Sequence, residues 1–228
     1  MNPNNLNLYI VDDDQPMRKS LGALILARLD GFAVQSFESG EAFLDNAHVD
    51  ASGIAILDLR FDDVSGQVGR MSGLEVFQAL KDRKSPLVVI FLSGHGTIPE
   101  VVDAMQDGAV SWLQKPCSED VLLGTVQAAK EKAQSIAANR RARHAAIEMW
   151  GRLSDREKEV APVIARGMSA KDTSRFLTNL DLQRPIDHRT VENHWAKIRA
   201  KLDVANSNEL QRFLTSYFPE LLEDQSKS

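Results

Sequence analysis

Four stretches of the chain place reactive polar side chains directly after an apolar run. Leu6 to Val11 (LNLYIV) breaks into Asp12, Asp13 and Asp14. Ile54 to Leu57 (IAIL) runs into Asp58, and Leu87 to Leu92 (LVVIFL) ends at Ser93 and Gly94. Ala109 to Leu113 leads to Lys115 and Pro116. Three carboxylates brought together repel one another unless a cation sits between them. Hard oxygen ligands with open positions suit Mg²⁺. A hydroxyl and an ammonium beside them suit a phosphoryl group, with the lysine acting as a point charge. One aspartate after a strand is an ordinary loop residue. Aspartates, a serine and a lysine at four strand ends become a site once the fold gathers those ends.

The elements that would gather them are readable between residues 6 and 130. Met17 to Leu29 has helical spacing, and Phe32 to Phe37 (FAVQSF) is short and β-rich. Ser39 ahead of Glu41, Ala42, Phe43 and Leu44 starts a second helix. Ser72 to Leu80 and Ile98 to Met105 are helical, and a further helix follows Ser118. Five strands alternating with five helices imply a doubly wound α/β domain, a five-stranded parallel sheet covered on both faces. In such sheets ligands bind at the carboxyl ends of the strands.

The rest of the chain has a different charge and a different pattern. The net charge of −5 divides into −8 over residues 1–137, +5 over 138–212 and −2 over 213–228. An acidic front and a basic back suggest two modules with different partners, and the basic one could favour a polyanion such as DNA. Residues 153–217 read as four helices. Ser154 and Glu157 form a capping-box pair. Gly167 ends the first helix, and Ser169 with Asp172 begins the second. The third runs from Asp187 to Leu202, and a fourth from Asn206 or Ser207 to Tyr217. In the third, Val191, His194, Ile198 and Leu202 make one apolar stripe, and the opposite surface carries Arg189, Glu192, Asn193, Ala196, Lys197 and Arg199. Arg and Lys on such a face neutralise phosphates, while Asn or Glu read base edges. A solvated amphipathic helix has the same pattern.

Composition narrows the classes. The 228 residues are 43% hydrophobic and 26% charged, the balance of a globular chain of one or two domains. No apolar run approaches the ~20 residues of a membrane helix. MNPNNLNLYIVDDD lacks a basic segment followed by an apolar one, so no secretory signal is expected. The single cysteine, Cys117, excludes a disulfide framework and a multi-cysteine zinc site. A cytoplasmic protein without membrane contact is expected. No catalytic triad, nucleotide loop or metalloprotease motif points to a dedicated enzyme. Between the modules, Leu122, Val126, Ala129, Ala133 and Ile136 follow 4-3-4-3 spacing. That spacing fits a dimeric coiled-coil seam, or a linker helix packed on its own domain or on a partner.

Residues 6–130 resemble the receiver domain of bacterial two-component response regulators, through IVDDDQPMRKSL, ILDLR, MSGLEVF, IFLSGHG and GAVSWLQKP. The resemblance makes Asp58 the phosphoacceptor, and Asp12 and Asp13 the acid pocket. It makes Asp13, Asp58 and the Arg60 carbonyl the ligands of Mg²⁺. Ser93 and Lys115 would bind the acyl phosphate, and Lys115–Pro116 would be a cis peptide. Trp112 stands where the family has its switch aromatic, partnered by Ser93; the alternative is a packed core aromatic. One departure is FDDVSGQVGR, which looks like an insertion between Asp58 and the helix-starting MSG (71–73).

LSDREKEVAPVIARGMSAKDTSRFL followed by RTVENHWAKIRAKLDV resembles the LuxR-type helix-turn-helix, and the module order resembles the FixJ/NarL type. By that resemblance 187–202 is the recognition helix, with Glu192, Asn193 and Ala196 facing bases. Lys171, Arg189, Thr190, His194 and Lys197 would contact or orient toward phosphates, with His194 alternatively a core histidine. Glu157 would brace the recognition helix. A second departure is TNLDLQRPIDHR, about seven residues longer than the family's tight turn. The expected organisation is a receiver over 1–125, a helical linker over 126–150, a four-helix DNA-binding domain over 151–217 and an acidic tail over 218–228. The implied function is a regulator phosphorylated on Asp58 by a sensor histidine kinase. It would bind promoter DNA as a homodimer, with RNA polymerase as a further partner. The alternative is a phosphorelay intermediate or phosphate sink whose output domain no longer binds DNA.

Overall fold

A computed structural model describes residues 5–61, 71–94 and 96–223. The insertion read at FDDVSGQVGR lies outside the described residues except for Phe61. The chain divides into two compact units, Met1–Asn139 and Arg140–Ser228.

The first unit is built on β1 (Leu6–Val11), β2 (Phe32–Phe37), β3 (Gly53–Leu57), β4 (Leu87–Ser93) and β5 (Ser111–Gln114). All neighbours are parallel, in the order β2-β1-β3-β4-β5. Side chains alternate between faces along a strand. Leu8, Ile10, Ile54, Ile56, Val88 and Ile90 fill one face, against Leu21 and Ile25 of α1 (Gln15–Arg28). Tyr9, Val11, Ala55, Leu57, Val89 and Phe91 fill the other. There they meet α2 (Gly40–Asn46), α3 (Gly73–Asp82) and α4 (Ile98–Gln106). Burial on both faces explains the continuous apolar runs of β1, β3 and β4. Polar residues at the strand ends start the helices. Asp14 accepts from Met17 N at 3.2 Å, Ser39 from Ala42 N at 3.1 Å, and Ser72 pairs with Glu75 in a capping box.

β5 begins two residues later than the run Ala109–Leu113 predicts. Gly108 reverses the chain at a φ of +102°, and the Ala109 N–H still closes the end of α4 on the Ala104 carbonyl at 3.0 Å.

α5 spans Glu119–Gly151. Its residues at 4-3-4-3 spacing, Leu122, Val126, Ala129 and Ala133, are 0–5% exposed within the core of the first unit, and Ile136 packs beside them. The apolar repeat is therefore the inner face of the helix that closes the first unit. No seam is left on these positions for a coiled coil, and the compact unit continues to Asn139.

The second unit contains α6 (Asp155–Ala165), α7 (Ala170–Leu180), α8 (His188–Leu202) and α9 (Ser207–Tyr217). Val160, Ile164, Leu177, Val191, Ile198 and Leu210 are in its core. A short 3₁₀ turn follows at Pro219–Leu221. Phe218, in the segment expected as an acidic tail, stacks on Trp150 at 5.1 Å between ring centroids. No helix of the described residues is long and apolar enough to cross a membrane.

Candidate functional site

The parallel sheet delivers its reactive residues to one edge. Asp12 and Asp13 follow β1, Asp58 follows β3, Ser93 ends β4, and Lys115 follows β5. One carboxylate oxygen from each of Asp12, Asp13 and Asp58 lies within 4.8 Å of the others. The Lys115 ammonium donates to Asp12 Oδ2 and to Asp58 Oδ2, both at 2.6 Å. Asp12 is buried, and burial pushes its carboxyl above the usual range despite the Lys115 hydrogen bond. Burial also works against the Lys115 ammonium. Hydrogen bonds to Asp12 and Asp58 outweigh it and hold the lysine above its usual value.

Backbone geometry fixes Asp58. Its Oδ1 accepts from Leu59 N at 2.6 Å and from Arg60 N at 3.4 Å. Its carbonyl lies against Gly73 at the start of α3, where an added Cβ would come within 2.0 Å of that oxygen. Asp14 N donates to Asp12 Oδ1 at 2.9 Å, and the Arg18 guanidinium donates to the Asp12 carbonyl. Lys115–Pro116 is cis.

Ser93 is 1% exposed. It lines a cavity of about 350 Å³ together with Trp112, Gly96, Val101 and Val102. Trp112 packs on Phe91 with ring centroids 5.1 Å apart. Gly96 touches the other side of the indole so closely that a Cβ there would lie 2.2 Å from the ring.

The donor set fits a hard divalent ion. Three carboxylates converge, and the Arg60 backbone follows one of them. Lys115 satisfies only one oxygen each of Asp12 and Asp58.

In the second unit, Asp187 caps α8 by accepting from Thr190 N at 2.7 Å, which holds its carboxyl below the usual range. Arg189, Glu192, Asn193, Ala196 and Lys197 are exposed on α8, and Lys171 is exposed on α7. Thr190 is half-buried. His194 is half-buried too, with a buried Nδ1 that lacks a hydrogen-bond partner among the described residues. Burial lowers its pKa, so the ring favours its neutral form.

The long turn is tied down. Ser174 Oγ donates to the Ile186 carbonyl at 2.6 Å, Ile186 N donates to Thr178 Oγ1 at 3.2 Å, and Arg156 donates to the Arg184 carbonyl at 2.9 Å. The extra residues are therefore anchored to α6 and α7 ahead of α8.

Glu157, 3% exposed, accepts from Ser154 N at 2.8 Å and from Lys201 Nζ of α8 at 2.7 Å. Burial raises its pKa; the Lys201 hydrogen bond, the Ser154 N–H and the Lys201 charge outweigh that and lower it. A depressed folded pKa stabilises above the unfolded value of about 4.3, and that stability is lost as pH falls through the folded value. Glu157→Gln should cost about 1–2 kcal/mol at pH 7, since the Lys201 side chain is 36% exposed and partly screened. In denaturant titrations the gap between the two chains should begin to narrow as pH falls below about 4.3. A gap unchanged down to pH 3 would show that the pair contributes nothing.

Several contacts were not expected from the sequence. They include Arg18 on the Asp12 carbonyl, Gly73 on the Asp58 carbonyl, and the Arg60–Glu100 pair at 3.8 Å. Thr97 and Glu100 carry a capping-box spacing, a signal that could have placed Glu100. Nothing in the spacing announces the other two contacts.

Comparison with known proteins gives two family matches. Residues 8–127 match the response regulator receiver domain, and residues 152–214 match the bacterial regulatory proteins of the luxR family. The chain is 34% identical over 205 residues to the response regulator protein TodT of Pseudomonas putida, covering 90% of this chain and 83% of that one. It is 33% identical over 205 residues to the transcriptional regulatory protein FixJ of Rhizobium meliloti, covering 90% and 93%. The solved structure of the response regulator StyR superposes with a TM-score of 0.73 at 29% identity, covering 93% of this chain and 100% of that one.

Proposed function

The chain belongs to the response regulators that join a receiver to a LuxR-type DNA-binding domain and regulate transcription, and from that premise we propose that a sensor histidine kinase phosphorylates it on Asp58 and that it then binds promoter DNA as a homodimer. The observation carrying this reading is the Lys115 ammonium at 2.6 Å from both Asp12 and Asp58, at the carboxyl edge of the sheet.

An Asp58 oxygen attacks the phosphorus of the kinase phosphohistidine. The P–N bond breaks, the histidine nitrogen leaves, and an acyl phosphate forms on Asp58. Asp13, Asp58 and the Arg60 carbonyl would hold Mg²⁺, which supplies charge neutralisation for the transferring phosphoryl. Asp12 holds Lys115 in position. Lys115, kept protonated by its two carboxylate partners, can pass one of its hydrogen bonds to a phosphoryl oxygen.

The new phosphoryl oxygens also attract the Ser93 hydroxyl. Ser93 and Trp112 border the same cavity of about 350 Å³, so a shift of Ser93 leaves room for the indole to turn inward. Ile98, Val102, Met105 and Val121 lie exposed on α4 and α5 beside Trp112's strand, Ile98 by 81%. This face, about Ile98 to Val126, would form the phosphorylated dimer. In the output domain, Glu192, Asn193 and Ala196 would face bases. Lys171, Arg189, Thr190 and Lys197 would face phosphates. His194 serves the core side of α8, since its Nδ1 is buried. RNA polymerase is the implied next partner at the promoter.

The test measures mass and promoter affinity together, with and without beryllofluoride in Mg²⁺. Mass should double and affinity should rise about 5–150-fold, the usual range for such coupling. Lys197→Ala should reduce the salt slope of binding by about one while leaving the mass change intact. A constant mass with rising affinity would replace dimerisation by release of an occluded α8. No DNA shift under any condition would favour the phosphate-sink reading.

A further inference from the structure

The output domain carries a cavity that DNA recognition does not use. It has a volume of about 650 Å³ and lies between α6, α7 and the turn that leads to α8. Its walls are Pro162, Val163, Phe176, Leu177, Leu180 and Leu221. That volume falls within the range of small-molecule sites, roughly 300–1,000 Å³, which are mostly apolar with a few polar groups. None of the exposed α8 residues offered to DNA lines it.

Charge at the rim is uneven. Arg156, Lys158 and Arg184 line the rim with Glu159 and Asp181, and Arg166, which has a partner of its own, lines it too. Glu159 is shared by Arg156 and Arg184, and Asp181 accepts from Gln183 N at 3.0 Å. The two carboxylates are thus already engaged. The Lys158 ammonium has no ion pair or hydrogen bond among the described residues. An apolar cavity with surplus positive charge at its mouth selects a ligand with an apolar body and one anionic head.

We propose that this cavity is a binding site for an amphipathic monoanion, a medium-chain or aryl carboxylate, with Lys158 meeting the carboxylate and Phe176, Leu177 and Leu180 enclosing the body. The extended turn builds one wall of the site through Arg184, whose carbonyl is held by Arg156. A ligand here leaves the α8 surface open to DNA. All of its lining residues lie in the second unit, Arg140–Ser228.

The experiment is calorimetric titration of the full chain with sodium decanoate below its micelle concentration. Saturable binding at one site per chain is expected. Lys158→Glu and Leu180→Asp should each weaken it at least tenfold. Leu180 is 64% exposed, so Leu180→Asp should melt as the parent does, which separates a lost site from a lost fold. Equal binding of decyltrimethylammonium would overturn the proposal, because the charge selection would be absent. So would decanoate binding that neither substitution alters. Absence of decanoate binding, with an acidic amphipathic peptide binding the parent chain but not Lys158→Glu, would replace the ligand site with a protein-docking groove.

Discussion

Asp58→Asn should abolish acid-labile phosphate on the chain, whether the donor is a kinase phosphohistidine or acetyl phosphate in Mg²⁺. The amide is a poor nucleophile, so the covalent step has no attacking oxygen. The substitution also replaces one of the two carboxylates that hold Lys115 at 2.6 Å. The remaining partner, Asp12, keeps the lysine in place, so the fold should survive. Incubation with radiolabelled donor, followed by gel autoradiography, reads the result directly. Label at the parent level would remove Asp58 from the role. The neighbouring carboxylates Asp12 and Asp13 would then be the positions to substitute next.

The second large effect comes from a residue with no side chain. Gly73→Ala places a methyl 2.0 Å from the Asp58 carbonyl oxygen and 3.1 Å from the Leu59 Cα. Both obstacles are backbone, so no rotamer change relieves the overlap. Either α3 moves off the sheet or the β3–α3 connection bends and carries Asp58 with it. Overpacking of this kind costs about 3 kcal/mol. For a domain of this size that lowers the melting temperature by on the order of 10 °C. Phosphorylation should fall with it, because Asp58 Oδ1 is positioned by the N–H groups of the same connection. A variant that melts and labels like the parent would mean the junction is looser than its packing indicates.

The two halves of the site differ in how far they can be read from the sequence. Asp12, Asp13, Asp58, Ser93 and Lys115 stand at the ends of apolar runs, and parallel topology places all such ends together. Their convergence follows from local pattern and a general rule of sheets. The contacts that hold them do not. Arg18 reaches the Asp12 carbonyl from a helix whose pattern shows only an exposed basic position. Gly73 meets Asp58 because α3 must start almost on top of β3, and no spacing encodes that closeness. In the output domain, the helices and their caps are written in Ser154, Ser169, Asp187 and Asn206. The long turn before α8 stands out by length alone. Its anchoring through Ile186, Thr178 and Arg156 depends on tertiary neighbours. His194 sits on a stripe of apolar spacing and also on the helix proposed to face DNA. Periodicity cannot divide one imidazole between a packed side and an open side; the buried Nδ1 does.

The inner face of α5 decides where this chain can be cut or grafted. Val126, Ala129 and Ala133 have no exposed surface, and they cover Leu21, Ile25 and the strands beneath. A receiver ended at residue 125 would leave that apolar strip open to water and to other molecules like it. A receiver carried through Asn139 keeps its own cover. The same holds for hybrids with a foreign output domain: the junction belongs in the exposed stretch of α5 just after Asn139, where Arg140, Arg141 and Arg143 contribute nothing to either core.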